Sequence, residues 1–270
     1  MGVERVLVAR HADRLSWGKS APPSWPIEAE VLTERGQAQA VALAAQLRAT
    51  RIDVLFSSPF VRCLQTAAPL AAERGLPIHV DRGFGEIMPT AWFRESPLPG
   101  LLHETARGEL PGVPQEMLAP DSGSPRPHFP DMEGAPRQGD TRQRERVVGR
   151  VGDALRRCFA AVSAVRLRFT PSRAPRQCDL TVPLPRQDER SILIVGHGAT
   201  HDLVCDALAP HDHPACRHTG AAADGSSAPA PPHCSVTTLQ RSGGGGWRVV
   251  GFAVPTVEDA SSAAGGASKL

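Results

Sequence analysis

Lysine is nearly missing from this chain. Of its 30 basic residues only Lys19 and Lys269 are lysines, and the rest are arginines. Alanine, glycine and proline are abundant alongside, so the imbalance reads as compositional bias, and arginine number alone marks no binding surface. The net charge is only +2. That is too small to imply a polyanion, and no nucleic-acid partner is expected. No apolar run approaches the ~18 residues of a membrane helix, and no membrane association is expected. A strand-like pattern begins at Val3, which leaves no room before it for a signal peptide. The cysteines (Cys63, Cys158, Cys178, Cys205, Cys216, Cys234) include no C-x-x-C pair. Several sit in apolar or helical patterns, so reduced thiols in a reducing compartment are expected.

The chain has 270 residues, 41% of them hydrophobic, enough for one large α/β domain with insertions. That domain is expected over residues 1–254, with a flexible tail at 255–270. The tail ends in Ser268-Lys269-Leu270, a peroxisomal address. An import receptor is the expected partner there, and a peroxisome or related organelle the expected location, with the cytoplasm otherwise.

Val3–Ala9 is a near-continuous apolar run, the mark of a parallel strand buried on both faces. Thr33 is placed to cap a helix reaching about Arg48. "DVLF" (Asp53–Phe56) is a second strand. Ser58 and Pro59 are expected to cap and start the next helix, with Phe60, Leu64, Ala67 and Ala71 as its apolar stripe. "PIHV" (Pro77–Val80) is a third strand. Residues 89–139, 170–189 and 210–232 read as insertions, the first with a helical fragment near Leu101–Arg107. Asp140 and Gln143 make a capping-box-like start to a long helix that buries Val147, Val148, Val151, Leu155 and Val162. Its arginines lie mostly opposite and read as a solvated face. "SILIV" (Ser191–Val195) is the next buried strand and Ala199–Leu208 the next helix. "SVTTLQR" and "WRVVGFAV" form a closing hairpin around "SGGGG". Strands alternate with helices, so the expected fold is α/β with a mostly parallel central sheet.

Ligands in such folds sit beyond the carboxyl ends of the strands. Arg10-His11 follows the first strand and Ser57-Ser58 the second, with Arg62 one turn into the helix. Gly196-His197-Gly198 follows "ILIV", and Glu86 lies in the loop after the third strand. Singly each is weak: a lone histidine after a strand is more often structural, and a lone helix arginine is usually solvated. Together they bring two histidines, arginines and one carboxylate to one edge, an inventory that fits phosphoryl transfer. Arginines and a protonated histidine match phosphate oxygens. A second histidine can be the nucleophile, and a carboxylate can protonate the leaving oxygen.

"ARHADR", "SSPFVRCLQTA", "GFGEI" and "ILIVGHGATHDLV" resemble, in order and spacing, the motifs of the histidine phosphatase superfamily, which has the phosphoglycerate mutase-like fold. The resemblance spans most of residues 3–252 outside the insertions. It implies a three-layer sandwich and a phosphohistidine mechanism without metal or other cofactor. His11 would be the nucleophile, Arg10, Arg62 and His197 would hold the phosphoryl group, and Glu86 would act as general acid and then activate water. Ala12 stands where the family usually has glycine. "RHADR" is similar instead to the "RHAER" form of the ubiquitin-associated, SH3-containing T-cell regulators and the ecdysteroid-phosphate phosphatases, in which the later arginine, here Arg14, also contacts phosphate. The mutases of the family carry an asparagine shortly after this motif. Leu15, Ser16, Trp17 and Gly18 stand there instead, which favours a phosphatase over a mutase-type phosphotransferase. The expected substrate is a phosphorylated small molecule or phosphoprotein. A further alternative is a silent pseudoenzyme that binds phosphate without turnover.

His11 must attack as the free base, whereas His197 is more useful charged. Glu86 must start protonated, so a raised pKa is expected if it is shielded. Glu95, Glu104 and Glu109 are other candidates for the acid. Among rival chemistries, "HCSVTTLQR" has six residues between Cys234 and Arg241 where a cysteine-phosphatase loop needs five, and it alternates like a strand. His211, His213, Cys216 and His218 are ligand types without a standard zinc spacing. No G-x-S-x-G elbow accompanies "GHGATHD", and His201 reads as structural. Trp17, Phe84, Trp92 and Phe93 either line an apolar pocket for the leaving group or belong to the core.

Overall fold

The computed structural model describes residues 2–15, 31–86, 112–119, 141–164, 190–210, 212 and 231–255. The zinc-like cluster's His211, His213, Cys216 and His218, the carboxylates Glu95, Glu104 and Glu109, Trp17, Trp92, Phe93, Asp140 and the terminal Ser268-Lys269-Leu270 lie outside these residues. So do the Leu101–Arg107 fragment and most of the three insertions.

In chain order the elements are β1 (Val3–Arg10), α1 (Glu34–Gln46), β2 (Val54–Ser57), α2 (Val61–Arg74), β3 (Ile78–Val80), α3 (Thr141–Ala164), β4 (Arg190–Gly196), α4 (Gly198–Leu208), β5 (Val236–Arg241) and β6 (Trp247–Val254). Single 3-10 turns lie at Arg82–Phe84 and Gln115–Met117. The strands form one sheet in the order β3-β2-β4-β1-β5-β6. β1 to β4 run parallel, and β5 and β6 are antiparallel additions. Among the described residues no helix is long and apolar enough to cross a membrane.

The period-2 alternation of the strands splits the core into two layers. Leu7, Ala9, Leu55, Leu193 and Val195 pack against α1 and α2. Val6, Val8, Phe56, Ile192 and Ile194 pack against α3 and α4. With helices on both faces, the central strands are apolar in consecutive positions, which is why "VLVA" and "ILIV" read as unbroken runs. The result is the expected α/β three-layer sandwich with a mostly parallel sheet. Phe84 is 1% exposed and joins the second core layer, so it is a core residue and not a pocket wall.

Thr33 caps α1 as expected, its hydroxyl accepting from the Gly36 amide at 2.9 Å. The start of α2 differs from expectation. The helix begins at Val61 with Phe60 as its cap residue, not at Ser58-Pro59. The Ser58 amide extends the sheet by donating to the Val195 carbonyl, and its hydroxyl is engaged elsewhere. His201 is buried, its Nδ1 2.7 Å from the Thr237 hydroxyl, a structural role as expected.

Candidate active site

The site is built where β1 and β4 end side by side. Arg10 is in register with Gly196, and the His11 amide donates to the Gly196 carbonyl at 2.8 Å. One residue further along each strand, the imidazoles of His11 and His197 meet at 5.4 Å between centroids and 66° between planes. The turn into α4 demands glycine before His197. A Cβ on Gly196 would lie 2.6 Å from the Thr200 hydroxyl, which accepts the His197 amide at 2.8 Å.

His11 is 2% exposed. Its Nδ1 lies 2.8 Å from the Ala12 carbonyl, which can only accept. Nδ1 therefore carries the proton, and Nε2 keeps its lone pair. Burial, then His197 and Arg62, lowers the His11 pKa well below the ordinary 6.5. The imidazole is a neutral base, as a nucleophile must be.

His197 is fully buried, with the Phe60 ring edge-on at 4.7 Å. Its Nε2 lies 2.9 Å from the Ser58 hydroxyl, and its Nδ1 lies 3.1 Å from Glu86 Oε2 and 3.3 Å from Arg62. Burial lowers its pKa, an effect Glu86 opposes in part. This differs from the charged His197 expected from sequence, because desolvation outweighs the one carboxylate beside it. Glu86 itself sits among cations, 3.7 Å from Arg62, and not in an apolar shell.

Three guanidinium groups crowd the same edge. Arg62 is 1% exposed and lies over the Phe60 ring at 4.5 Å. Burial foremost, with a contribution from Arg62, lowers the pKa of both Arg10 and Arg14. Arg10 donates to the Pro231 carbonyl, yet its Nε is buried without a hydrogen-bond partner among the described residues. A buried donor in that condition is rare and suits an anionic ligand. The site thus brings together all six residues expected from sequence: Arg10, His11, Arg14, Arg62, Glu86 and His197.

Sequence reasoning missed His233. Its ring centroid lies 5.5 Å from that of His11, and its Nδ1 lies 3.8 Å from Asp13 Oδ1. β5 is antiparallel, so the residues that enter it reach the same edge as those leaving β1 and β4. The signal was the strand pattern after "HC", had its direction been known.

Ligand atoms of His11, Glu86 and His197 lie within 4.8 Å of one another and are of types that bind metal. Arg10, Arg14 and Arg62 around them oppose a cation and favour an anion. The cysteine-phosphatase alternative fails, and among the described residues no cysteine beside the site is a ready thiolate. Cys63, beside His197, has its pKa pushed up to about 12 by burial and is a thiol. Cys234 is buried, and the intervening strand carries Arg241 to the far end of β5, where it contacts Gly245.

A family model described as the histidine phosphatase superfamily (branch 1) matches residues 7–164, over half of the chain. The transcription factor tau 55 kDa subunit of Saccharomyces cerevisiae is 36% identical over 100 residues, covering 35% of this chain and 22% of that protein. The chain therefore matches only about a fifth of that curated relative's length. Among solved structures, Bacillus stearothermophilus YhfR superposes with a TM-score of 0.53 at 17% identity, covering 93% of this chain and 96% of that one. A phosphoserine phosphatase mutant from Entamoeba histolytica gives 0.51 at 15% identity, with 92% and 95% covered. A mycobacterial glucosyl-3-phosphoglycerate phosphatase complexed with VO3 gives 0.53 at 18% identity, with 93% and 100% covered. These structural likenesses concern the fold.

Proposed function

The chain belongs to the histidine phosphatase superfamily, and from that premise we propose that it hydrolyses phosphomonoesters without metal, through a phosphoryl group carried on His11. The observation that carries this reading is the buried His11 imidazole, its Nδ1 held 2.8 Å from the Ala12 carbonyl so that Nε2 is the ring nitrogen left to attack, set among Arg10, Arg14 and Arg62.

The chemistry runs in two displacements. The phosphate dianion is drawn among the three guanidinium groups, whose mutual repulsion it relieves. His11 Nε2 attacks phosphorus as the bond to the leaving oxygen breaks, and Glu86, which holds a proton only once the bound dianion offsets the cations around it, supplies that oxygen's proton. The negative charge stays on the equatorial oxygens, held by arginine donors and the His197 ring. A dianion beside His197 favours its imidazolium, so substrate binding is coupled to uptake of a proton from solvent that burial otherwise disfavours. Glu86, now a carboxylate, takes a proton from water. The water oxygen attacks phosphorus, the P–N bond breaks, and phosphate leaves with His11 restored.

Turnover of p-nitrophenyl phosphate by the purified chain in EDTA, across about pH 4–9, tests this reading beside His11→Ala. Turnover in EDTA that disappears in the variant is expected. Activity that needs metal, or that survives in His11→Ala, contradicts it. A substrate screen starts with phosphoserine and glucosyl-3-phosphoglycerate, the compounds named for two of the structural neighbours.

A further inference from the structure

α3 holds more than a core face. Arg150, Ala154 and Arg157 are spaced i, i+4 and i+7, which places them on one side of the helix. That side meets the turn Asp81–Glu86 at three successive points. Arg157 forks onto Asp81, with Nε to Oδ2 at 2.8 Å and a terminal nitrogen to Oδ1 at 2.7 Å. Asp81 is 4% exposed and accepts the Gly83 amide at 2.8 Å, fixing the 3-10 turn. Such a buried carboxylate needs its partner, because removing one member leaves an uncompensated charge. Gly83 then passes so close to the helix that a Cβ there would lie 2.6 Å from that of Ala154. Finally Arg150 donates to the Gly85 carbonyl at 3.1 Å. Gly85 is the residue before Glu86, whose Oε2 lies 3.1 Å from His197. Read as an amphipathic helix, the sequence puts its arginines mostly on a solvated face. The structure folds two of them inward.

We propose that Arg150 and Arg157 are positioning residues for Glu86: they clamp the turn to α3 and so set where the carboxyl meets the leaving oxygen. The proposal rests on the reading of Glu86 as general acid. Neither arginine has to touch substrate. A carboxyl displaced by about 1 Å would lose much of its effect, on the order of a hundredfold where proton transfer limits the rate.

The test compares two leaving groups. p-Nitrophenolate departs as an anion and needs little help, whereas an alkoxide needs the proton. Rapid-quench measurement of His11 phosphorylation from p-nitrophenyl phosphate and from a simple alkyl phosphate gives a rate ratio for each protein. In Glu86→Gln this aryl-to-alkyl ratio is expected to rise. In Arg157→Gln and Arg150→Gln it is expected to rise in the same sense, by about tenfold or more. A merely structural defect lowers the amount of folded enzyme and moves both rates together, leaving the ratio fixed. Should Arg157→Gln fail to fold because Asp81 is left unpaired, Arg150→Gln carries the test alone, since it leaves that pair intact. A ratio that shifts in Glu86→Gln but in no folded arginine variant overturns the positioning role. A ratio unchanged in Glu86→Gln overturns the acid assignment and the proposal with it.

Discussion

The Nδ1–H of His11 donates to the Ala12 carbonyl at 2.8 Å. That bond fixes the tautomer, while burial, His197 and Arg62 hold the pKa well below 6.5. The nucleophile is therefore already a free base at neutral pH. The limb of kcat/KM that His11 sets falls on the acid side of pH 6.5. Stability follows the same group. An unfolded chain protonates this histidine near its ordinary 6.5, whereas the folded chain refuses the proton. Stability is complete above that value and declines as pH falls below it. Urea midpoints across this range should show the decline, with a shallower slope in His11→Asn. A wild type that gains stability on acidification through this window contradicts the assignment.

Arg62 makes three contacts that a lysine would not reproduce together: 3.3 Å to His197, 3.7 Å to Glu86 and 4.5 Å to the Phe60 ring. Arg62→Lys keeps the charge and loses the planar fork. A loss of about a hundredfold in kcat/KM is expected, of the size seen when a fixed donor to transition-state charge is removed. Vanadate inhibition should weaken in parallel. Inhibition unchanged from wild type would show that Arg62 does not hold the phosphoryl group.

Ser58 links α2's entry to the site through its 2.9 Å contact with His197 Nε2. Ser58→Ala leaves that buried nitrogen without its hydroxyl. The expected cost is about 1–3 kcal/mol in urea denaturation, together with a fall in kcat as the ring loses its orientation. A variant with wild-type stability and kcat would place the hydroxyl outside the mechanism.

How much of this was legible follows from what each signal depends on. β1, β2 and β4 are buried on both faces, so their ends stood out as apolar runs broken by Arg10-His11, Ser57-Ser58 and Gly196-His197. Glu86 was reached through its place after β3 and the motif around it. Ser58 reads as a helix cap because a hydroxyl ahead of a proline looks the same whether it serves an amide or, as here, a histidine across the sheet. The charge of His197 depends on burial from all sides, which no local pattern records. The arginines of α3 read mostly as a solvated face because an amphipathic pattern ranks residues by type, and that pattern does not single out Arg150 and Arg157, whose long stems reach around the helix flank to buried partners. His233 needed the direction of β5.

Gly196 tests the backbone beneath the site. In Gly196→Ala the new methyl would meet Thr200 at 2.6–3.0 Å, contacts that force a shift of the turn holding His197. A destabilisation of about 1–3 kcal/mol is expected, with activity lost disproportionately. Thr200→Ala removes the two closest contacts, so the double variant should recover part of the stability by thermal denaturation. Simple additivity of the two substitutions would contradict the clash.

The most direct test of the account is to trap the intermediate. Enzyme mixed with a phosphomonoester and quenched in the steady state should yield a phosphoryl group that is acid-labile and base-stable, located by peptide mass spectrometry on His11. Its absence in His11→Ala and a longer life in Glu86→Gln would follow, since Glu86 activates the water that releases it. Phosphate found on another residue, or turnover with no covalent phosphoenzyme under rapid quench, would contradict the mechanism.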